Sequence, residues 1–178
     1  MLLQRLMLPY ECCSPEIDET PHPGESPADL VTRLAEDKAA SVAGEHIDAL
    51  VIGSDQLAVF DGQVIGKPGN HQAAHEQLTS FSGQLVKFLT GVSVQCRASG
   101  FSEHYIDCTR VYFRNLQAVE IERYLQREKP YDCAGSFKSE QSGIVLFERI
   151  CSEDPTALIG LPLIQTAAIL RRAGLVLP

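Results

Sequence analysis

The chain has 178 residues, with 15 Lys plus Arg against 23 Asp plus Glu, a formal net charge of −8 and 44% apolar residues. A chain of this size buries about 70% of its unfolded surface, so one domain with its own core is expected and no metal or disulfide staple is needed. The acidic balance excludes a nucleic-acid binder held by bulk charge, which needs Lys and Arg to displace counterions, but it leaves room for a small anion held by a few focused cations.

Six cysteines, Cys12, Cys13, Cys96, Cys108, Cys133 and Cys151, form no CxxC pair and no Cys/His spacing of a zinc site, so reduced thiols are expected. Residues 1–9 are too short for a secretory h-region with its cleavage site, and no apolar run approaches about 18 residues, which predicts a cytoplasmic protein with no membrane partner.

Leu2, Leu3 and Leu6 suit one helical face, but Pro9 arrives before a helix exceeds about two turns and no N-cap precedes it. The chain is therefore expected to begin inside an element. Asp18 and Glu19 are read as lying just after a strand and before a Pro-rich loop. Ser26-Pro27-Ala28-Asp29 reads as a helix start, with Ser26 as cap, Pro27 in the first turn and Asp29 at capping-box spacing. Leu30, Val31, Leu34, Lys38 and Val42 recur at helical intervals to Gly44, so Lys38 interrupts the apolar stripe, either snorkelling or aimed at something.

Residues 49–53 and 57–60 read as one buried strand up to the turn Asp61-Gly62, with Ser54-Asp55-Gln56 inside it. Asn70 caps a helix over residues 71–80 that Gly83 ends, and residues 85–96 and 101–113 alternate enough to pair as antiparallel strands around Arg97-Ala-Ser-Gly100. Val119, Ile121, Tyr124 and Leu125 mark a helix, residues 143–150 a strand, and residues 161–173 a helix with Pro162 early and Gly174 as its stop. The alternation of helices and strands predicts a single α/β domain, a mixed, twisted sheet flanked by helices, with no internal repeat.

Four polar clusters stand out: Glu16-Ile-Asp18-Glu19, Lys38, Ser54-Asp55-Gln56 followed by Gly66-Lys67-Pro68, and Ser136-Phe-Lys138-Ser-Glu140. Asp18 and Glu19 could bind a divalent metal or merely solvate a turn. Asp55 is an ionised carboxylate inside an apolar strand, which is costly unless it is paired, hydrogen-bonded or metal-bound, and function and structural pairing both account for it. Gly66-Lys67-Pro68 suits a phosphate contact and is also a common turn. Ser136 to Gly143, carrying Lys138 and Glu140, suits a loop over a ligand or a solvated loop. His71 and His75 stand one helical turn apart, but Gln72 occupies the place where a zincin helix needs Glu, so a surface helix is expected. Cys12-Cys13 reads as packing of small side chains. With no Walker A, GxGxxG or GxSxG element present, the lysines and carboxylates that remain are the equipment of metal-assisted phosphoanhydride hydrolysis.

Taken together, Ser14-Pro-Glu-Ile-Asp-Glu-Thr20, Leu34-Ala-Glu-Asp-Lys-Ala39, Ile52-Gly-Ser-Asp-Gln56, Gly66-Lys-Pro68, Phe81-Ser-Gly83, Cys133-Ala-Gly-Ser-Phe-Lys-Ser-Glu140 and Gly160-Leu-Pro-Leu163 resemble, in order, the motifs of the Maf family of nucleoside triphosphate pyrophosphatases. The Ser-Asp-Gln and Phe-Lys-Ser-Glu versions are similar to the subfamily acting on 7-methyl-GTP. The resemblance implies a fold similar to that of inosine triphosphate pyrophosphatase, hydrolysis between the α and β phosphates, a divalent metal cofactor (Mg, Mn or Co) and a homodimer. It also implies Asp55 as proton acceptor, Glu19 and Asp55 at the metal, Lys38, Lys67 and Lys138 near the triphosphate, and Gln56 and Glu140 in base selection. Family members begin with a strand and a Ser-x-Ser-Pro-Arg-Arg loop, whereas this chain starts at Met1-Leu-Leu-Gln-Arg-Leu6, so the resemblance implies that this phosphate-binding segment is lacking. The alternative expectation is then a nucleotide-binding or regulatory protein with little or no turnover.

Overall fold

The computed structural model describes residues 2–178, and its first α-helix begins at the cap that the sequence announces. The Ser26 side chain accepts from the Asp29 N–H at 3.2 Å, and the Asp29 carboxylate accepts from the Ser26 hydroxyl at 2.7 Å. An orphan amide of α1 (Pro27–Glu45) is satisfied in this way. The elements that follow are β1 (Val51–Phe60), β2 (Gln63–Ile65), α2 (His71–Phe81), β3 (Leu85–Cys96), β4 (Phe101–Phe113), α3 (Ala118–Glu128), β5 (Phe147–Cys151) and α4 (Leu163–Arg172). Asn70 caps α2 by accepting from Ala73 N–H, as its position predicts.

The strands form one sheet in the order β2-β1-β3-β4-β5. Val59 stands opposite Val64 in the antiparallel β1–β2 pair and Val111 opposite Ile150 in the antiparallel β4–β5 pair. Strands β3 and β4 meet through the tight turn at Arg97–Gly100, as expected. Ser54 bonds to Gly91 and Gln56 to Thr90, so numbers rise along β1 as they fall along β3. The sheet is therefore antiparallel where the sequence reading expects a mixed one. The reason is that β2 reverses the chain and α2 returns it, so β3 enters against the direction of β1.

The chain divides into two compact units, the first comprising the residues up to Gln56 with Thr90–Asp107 and Asp154–Pro178, the second Leu57–Leu89 with Cys108–Glu153. In the first unit, α1 lies against the sheet at two glycines. A Cβ on Gly53 would stand 2.2 Å from the Ala35 carbonyl oxygen, and one on Gly91 would stand 2.7 Å from that of Val31. Ala35 and Ala39 are fully buried there. The alternate residues of β3 turn the opposite way: Val92 and Val94 pack with Leu161, Leu163, Ile169 and Leu170, and Leu2, Leu3 and Leu6 pack against that cluster. The three leucines belong to the expected helical face only as far as a short 3-10 turn, Leu3–Leu6. In the second unit the core is aromatic. Phe137 meets the rings of Phe88 at 5.1 Å and Phe147 at 4.7 Å, and Phe113 meets Phe81 and Phe147.

Three local expectations are corrected. Among the described residues no strand precedes Asp18, where Pro9 and Pro15 remove ladder donors. Cys12 and Cys13 lie in that segment and are exposed, not packed. Residues 143–150 open with a 3-10 turn, Ser142–Leu146, before β5, because Gly143 folds back on Lys138, its N–H donating to the Lys138 carbonyl at 3.1 Å. A Cβ at residue 143 would stand 2.4 Å from that oxygen, so only glycine fits. Among the described residues no disulfide is formed, and no helix is long and apolar enough to cross a membrane.

Candidate active site

Side chains alternate across a strand, so Gly53 and Asp55 share the face of β1 that meets α1, whereas Ser54 and Gln56 take the other. The missing side chain at Gly53 lets α1 approach, and the approach brings Lys38 within reach of Asp55. The Lys38 ammonium donates to Asp55 Oδ1 at 2.6 Å and pairs with Glu19 Oε1 at 3.0 Å. The side chains of Asp55 and Lys38 are only 14% and 22% exposed, so an enclosed carboxylate is matched by an enclosed cation. Burial opposes the charge on Lys38, but its hydrogen bonds to Asp55 and Glu19 outweigh burial and raise its pKa above the ordinary lysine value. Lys38 is thus aimed, not snorkelling.

On the opposite face, the Ser54 hydroxyl lies within hydrogen-bond distance of the Gly91 carbonyl at 2.7 Å and the Gly160 carbonyl at 2.9 Å. The Gln56 amide donates to Thr90 Oγ1 at 2.8 Å and to the Ala157 carbonyl at 2.9 Å. The turn that receives them is itself held by Asp154 and Thr156. Asp154, 1% exposed, accepts from Thr156 N–H and Oγ1 and from Ile164 N–H, and Thr156 Oγ1 accepts from Leu163 N–H. Asp55 and Gln56 are neighbours in sequence that serve different faces. Asp154 and Thr156 escaped the sequence reading because an Asp-Pro-Thr triplet carries only a turn signal.

Lys67, Lys138 and Glu140 belong to the second unit. Lys67 is exposed in the loop after β2, and Glu140 is exposed beside Ser139. Lys138 is half-buried; its N–H donates to the Tyr124 hydroxyl at 3.1 Å, and its ammonium lies 3.4 Å from the Glu128 carbonyl. The two loops are joined by a residue that sequence reasoning missed. The Gln77 amide on α2 donates to the Gly66 carbonyl at 3.0 Å and accepts from the Ser136 hydroxyl at 2.5 Å. Ser136 is fully buried at φ 60°, a left-handed conformation rare outside glycine, so its backbone is held by its surroundings. Burial, with the Asp132 charge, pushes the Cys133 thiol up to about 11, which suits packing and not nucleophilic chemistry. His71 bonds the Tyr131 hydroxyl and Glu122, each at 2.9 Å, so it ties elements together as the surface-helix reading allows.

Glu19 and Asp55 direct their carboxylates to one cationic point, and among the described residues no group of three or more His, Cys, Asp or Glu could hold a metal. Two carboxylates fit a magnesium-like ion, which completes its shell with water and phosphate oxygens; they do not fit a zinc cage.

Residues 1–173 match the family described as Maf-like protein. The 7-methyl-GTP pyrophosphatase of Polaromonas sp. strain JS666 is 53% identical over 176 residues, which cover 99% of this chain and 80% of that protein. That of Xanthomonas axonopodis pv. citri strain 306 is 54% identical, covering 99% of this chain and 92% of the relative. That of Chromohalobacter salexigens is 53% identical, covering 98% and 90%.

Proposed function

The chain belongs to the Maf family, and on that premise we propose that it is a nucleoside triphosphate pyrophosphatase that hydrolyses 7-methyl-GTP to the monophosphate and pyrophosphate. A fold similar to that of inosine triphosphate pyrophosphatase, a homodimer and a cytoplasmic location are part of the same reading. The observation that carries it is the enclosed Lys38 ammonium shared by Asp55 at 2.6 Å and Glu19 at 3.0 Å.

In the reaction, a water oxygen bonds to the α-phosphorus, the bond from that phosphorus to the α–β bridging oxygen breaks, and pyrophosphate leaves with the electron pair. Asp55 orients the water and accepts its proton. An ordinary Asp, with a pKa of about 3.9, is a weak base at neutral pH, so orientation is the larger part of its contribution. A divalent cation held by Asp55 and Glu19 supplies, when bound, acidification of water and neutralisation of phosphate charge. Lys38 keeps the two carboxylates together and, with Lys67 and Lys138, offsets the charge of the triphosphate. Glu140 is the base-selecting carboxylate, able to accept from the guanine N1–H and exocyclic amine, and the positive charge of an N7-methylated ring favours it further. Gln56 belongs to base selection in the same reading.

The test is release of pyrophosphate from 7-methyl-GTP, GTP, dTTP and UTP with Mg or Mn. Pyrophosphate from 7-methyl-GTP at the highest kcat/KM is expected. Orthophosphate as the direct product, or a best rate on dTTP, sinks the reading.

A further inference from the structure

We propose that Arg33 is a positioning residue that aims Glu19 at the Lys38–Asp55 pair by gripping the main chain on both sides of it. Glu19 lies in the segment before α1, which forms no strand, and its side chain is 58% exposed. Such a side chain has many orientations open to it, and fixing one costs entropy that other contacts must offset. Arg33, on α1, supplies those contacts. Its Nη2 donates to the Thr20 carbonyl at 3.0 Å and its Nη1 to the Asp18 carbonyl at 3.4 Å, so the peptide oxygens flanking Glu19 converge on one guanidinium.

The guanidinium is itself fixed. Nε and Nη2 donate to the two oxygens of Glu25 at 2.7 and 3.0 Å, and Nη1 reaches Asp37 Oδ2 at 3.4 Å. Asp18 Oδ1 accepts from the Thr20 N–H at 2.9 Å, closing a tight turn with Glu19 at its tip. Lys38, which receives the Glu19 carboxylate, stands on the same helix as Arg33, so α1 fixes the distance between the grip and the target. A planar fork of five donors meets these partners together, and a lysine at this position cannot. Arg33 therefore acts on the reaction only through Glu19, and its catalytic consequence rests on the assignment of Glu19 made above.

The experiment is a double-mutant cycle of Arg33→Met and Glu19→Gln, read as turnover of 7-methyl-GTP, together with the backbone 15N order parameters of residues 18–20 in each variant. Each single variant should lower kcat/KM about 10–100-fold, as loss of an orienting partner does, and the double variant should add little; Arg33→Met should also take the order parameters of residues 18–20 from the rigid range of about 0.85 towards about 0.6, whereas Glu19→Gln leaves them near wild type. Losses that multiply, or order parameters that Arg33→Met leaves at the wild-type values, overturn the proposal. Arg33→Lys guards against a variant that simply unfolds: with an unchanged circular dichroism spectrum it should remain impaired, and full rescue of turnover by lysine also overturns the proposal. A wild type that releases no pyrophosphate counts against the functional reading alone, because the backbone order of residues 18–20 in Arg33→Met still decides the role of Arg33.

Discussion

Gly53→Ala tests the geometric premise of the site, that α1 can deliver Lys38 to Asp55 only because β1 has no side chain where the helix lies. The added Cβ would stand 2.2 Å from Ala35 O, 2.6 Å from Ala39 N and 3.0 Å from Ala39 Cβ. Two of these atoms are helix backbone and cannot rotate aside. Restoring the shortest contact to an ordinary 3.4 Å moves α1 by about 1.2 Å. Overpacking a core costs about 1–3 kcal/mol, and a backbone obstacle puts this case at the upper end, about 3 kcal/mol. For a chain of this length that corresponds to a Tm lower by about 6–12 °C. Lys38 lies between Ala35 and Ala39, so the same displacement lengthens its 2.6 Å bond to Asp55 beyond hydrogen-bonding range, and turnover falls with stability. Thermal unfolding by circular dichroism, paired with pyrophosphate release, reads both effects. Gly44→Ala is the control of opposite sign: its nearest neighbour is Arg97 Nη1 at 3.8 Å, and replacing a helical glycine should stabilise by about 0.5 kcal/mol. A Gly53→Ala protein melting within about 2 °C of wild type would refute the reasoning.

Asp55→Asn should abolish turnover while the fold persists, because the amide retains the shape of the side chain but has one acceptor oxygen in place of two and no charge, so it neither orients the water as the carboxylate does nor takes its proton; near-normal rates would remove Asp55 from its role. Gln77→Leu should raise KM for 7-methyl-GTP several-fold with a smaller change in kcat, since it frees the Gly66 carbonyl and the Ser136 hydroxyl and loosens the loops of Lys67 and Lys138; an unchanged KM counts against that link. The Arg33 hydrogen bonds hold Glu25 well below its ordinary value of 4.5, at about 2. A depressed carboxylate stabilises the fold above the unfolded pKa and ceases to as pH falls through the folded one, so stability should decline between about pH 4.5 and 2. Glu25→Gln should flatten that decline in denaturant titrations across the acid range, and an equally steep acid loss in the variant contradicts the assignment.

What was legible in the sequence was mostly local. The start of α1 could be read because a cap is chemistry between residues three apart, and the β3–β4 turn because alternation breaks at Arg97–Gly100. The direction of β3 against β1 could not, because pairing is set by what lies between the strands, and the short β2 adds a reversal. An apolar run beginning at Gly143 reads as strand by composition, yet a contact to Lys138 turns it. At the site, Asp55 and Lys38 each stood out as a charge out of place on an apolar face. That they answer each other was hidden, because the link runs through Gly53, whose importance lies in an atom it lacks. Arg33 and Gln77 gave no signal at all, since they act on main-chain and hydroxyl groups that any sequence offers.

The register of β1 emerges as the parameter on which the chemistry depends. A slip of one residue would carry Asp55 to the face of Ala157 and Gly160 and bring Ser54 or Gln56 opposite Lys38, exchanging the two sets of partners completely. Hydrophobicity alone guards weakly against this, because both faces of β1 are covered in the first unit, one by α1 and the other by the cluster around Val92 and Ile169. Specific contacts do the guarding. Gly53 fits under α1 where no other residue of the strand does, the Gln56 amide donates both to β3 and to the turn at residues 157–160, and the Ser54 hydroxyl lies within hydrogen-bond distance of a carbonyl on each. The polar residues facing away from Lys38 thus fix the carboxylate that faces it, and changes at Ser54 or Gln56 act on Asp55 through register as well as through any contact of their own.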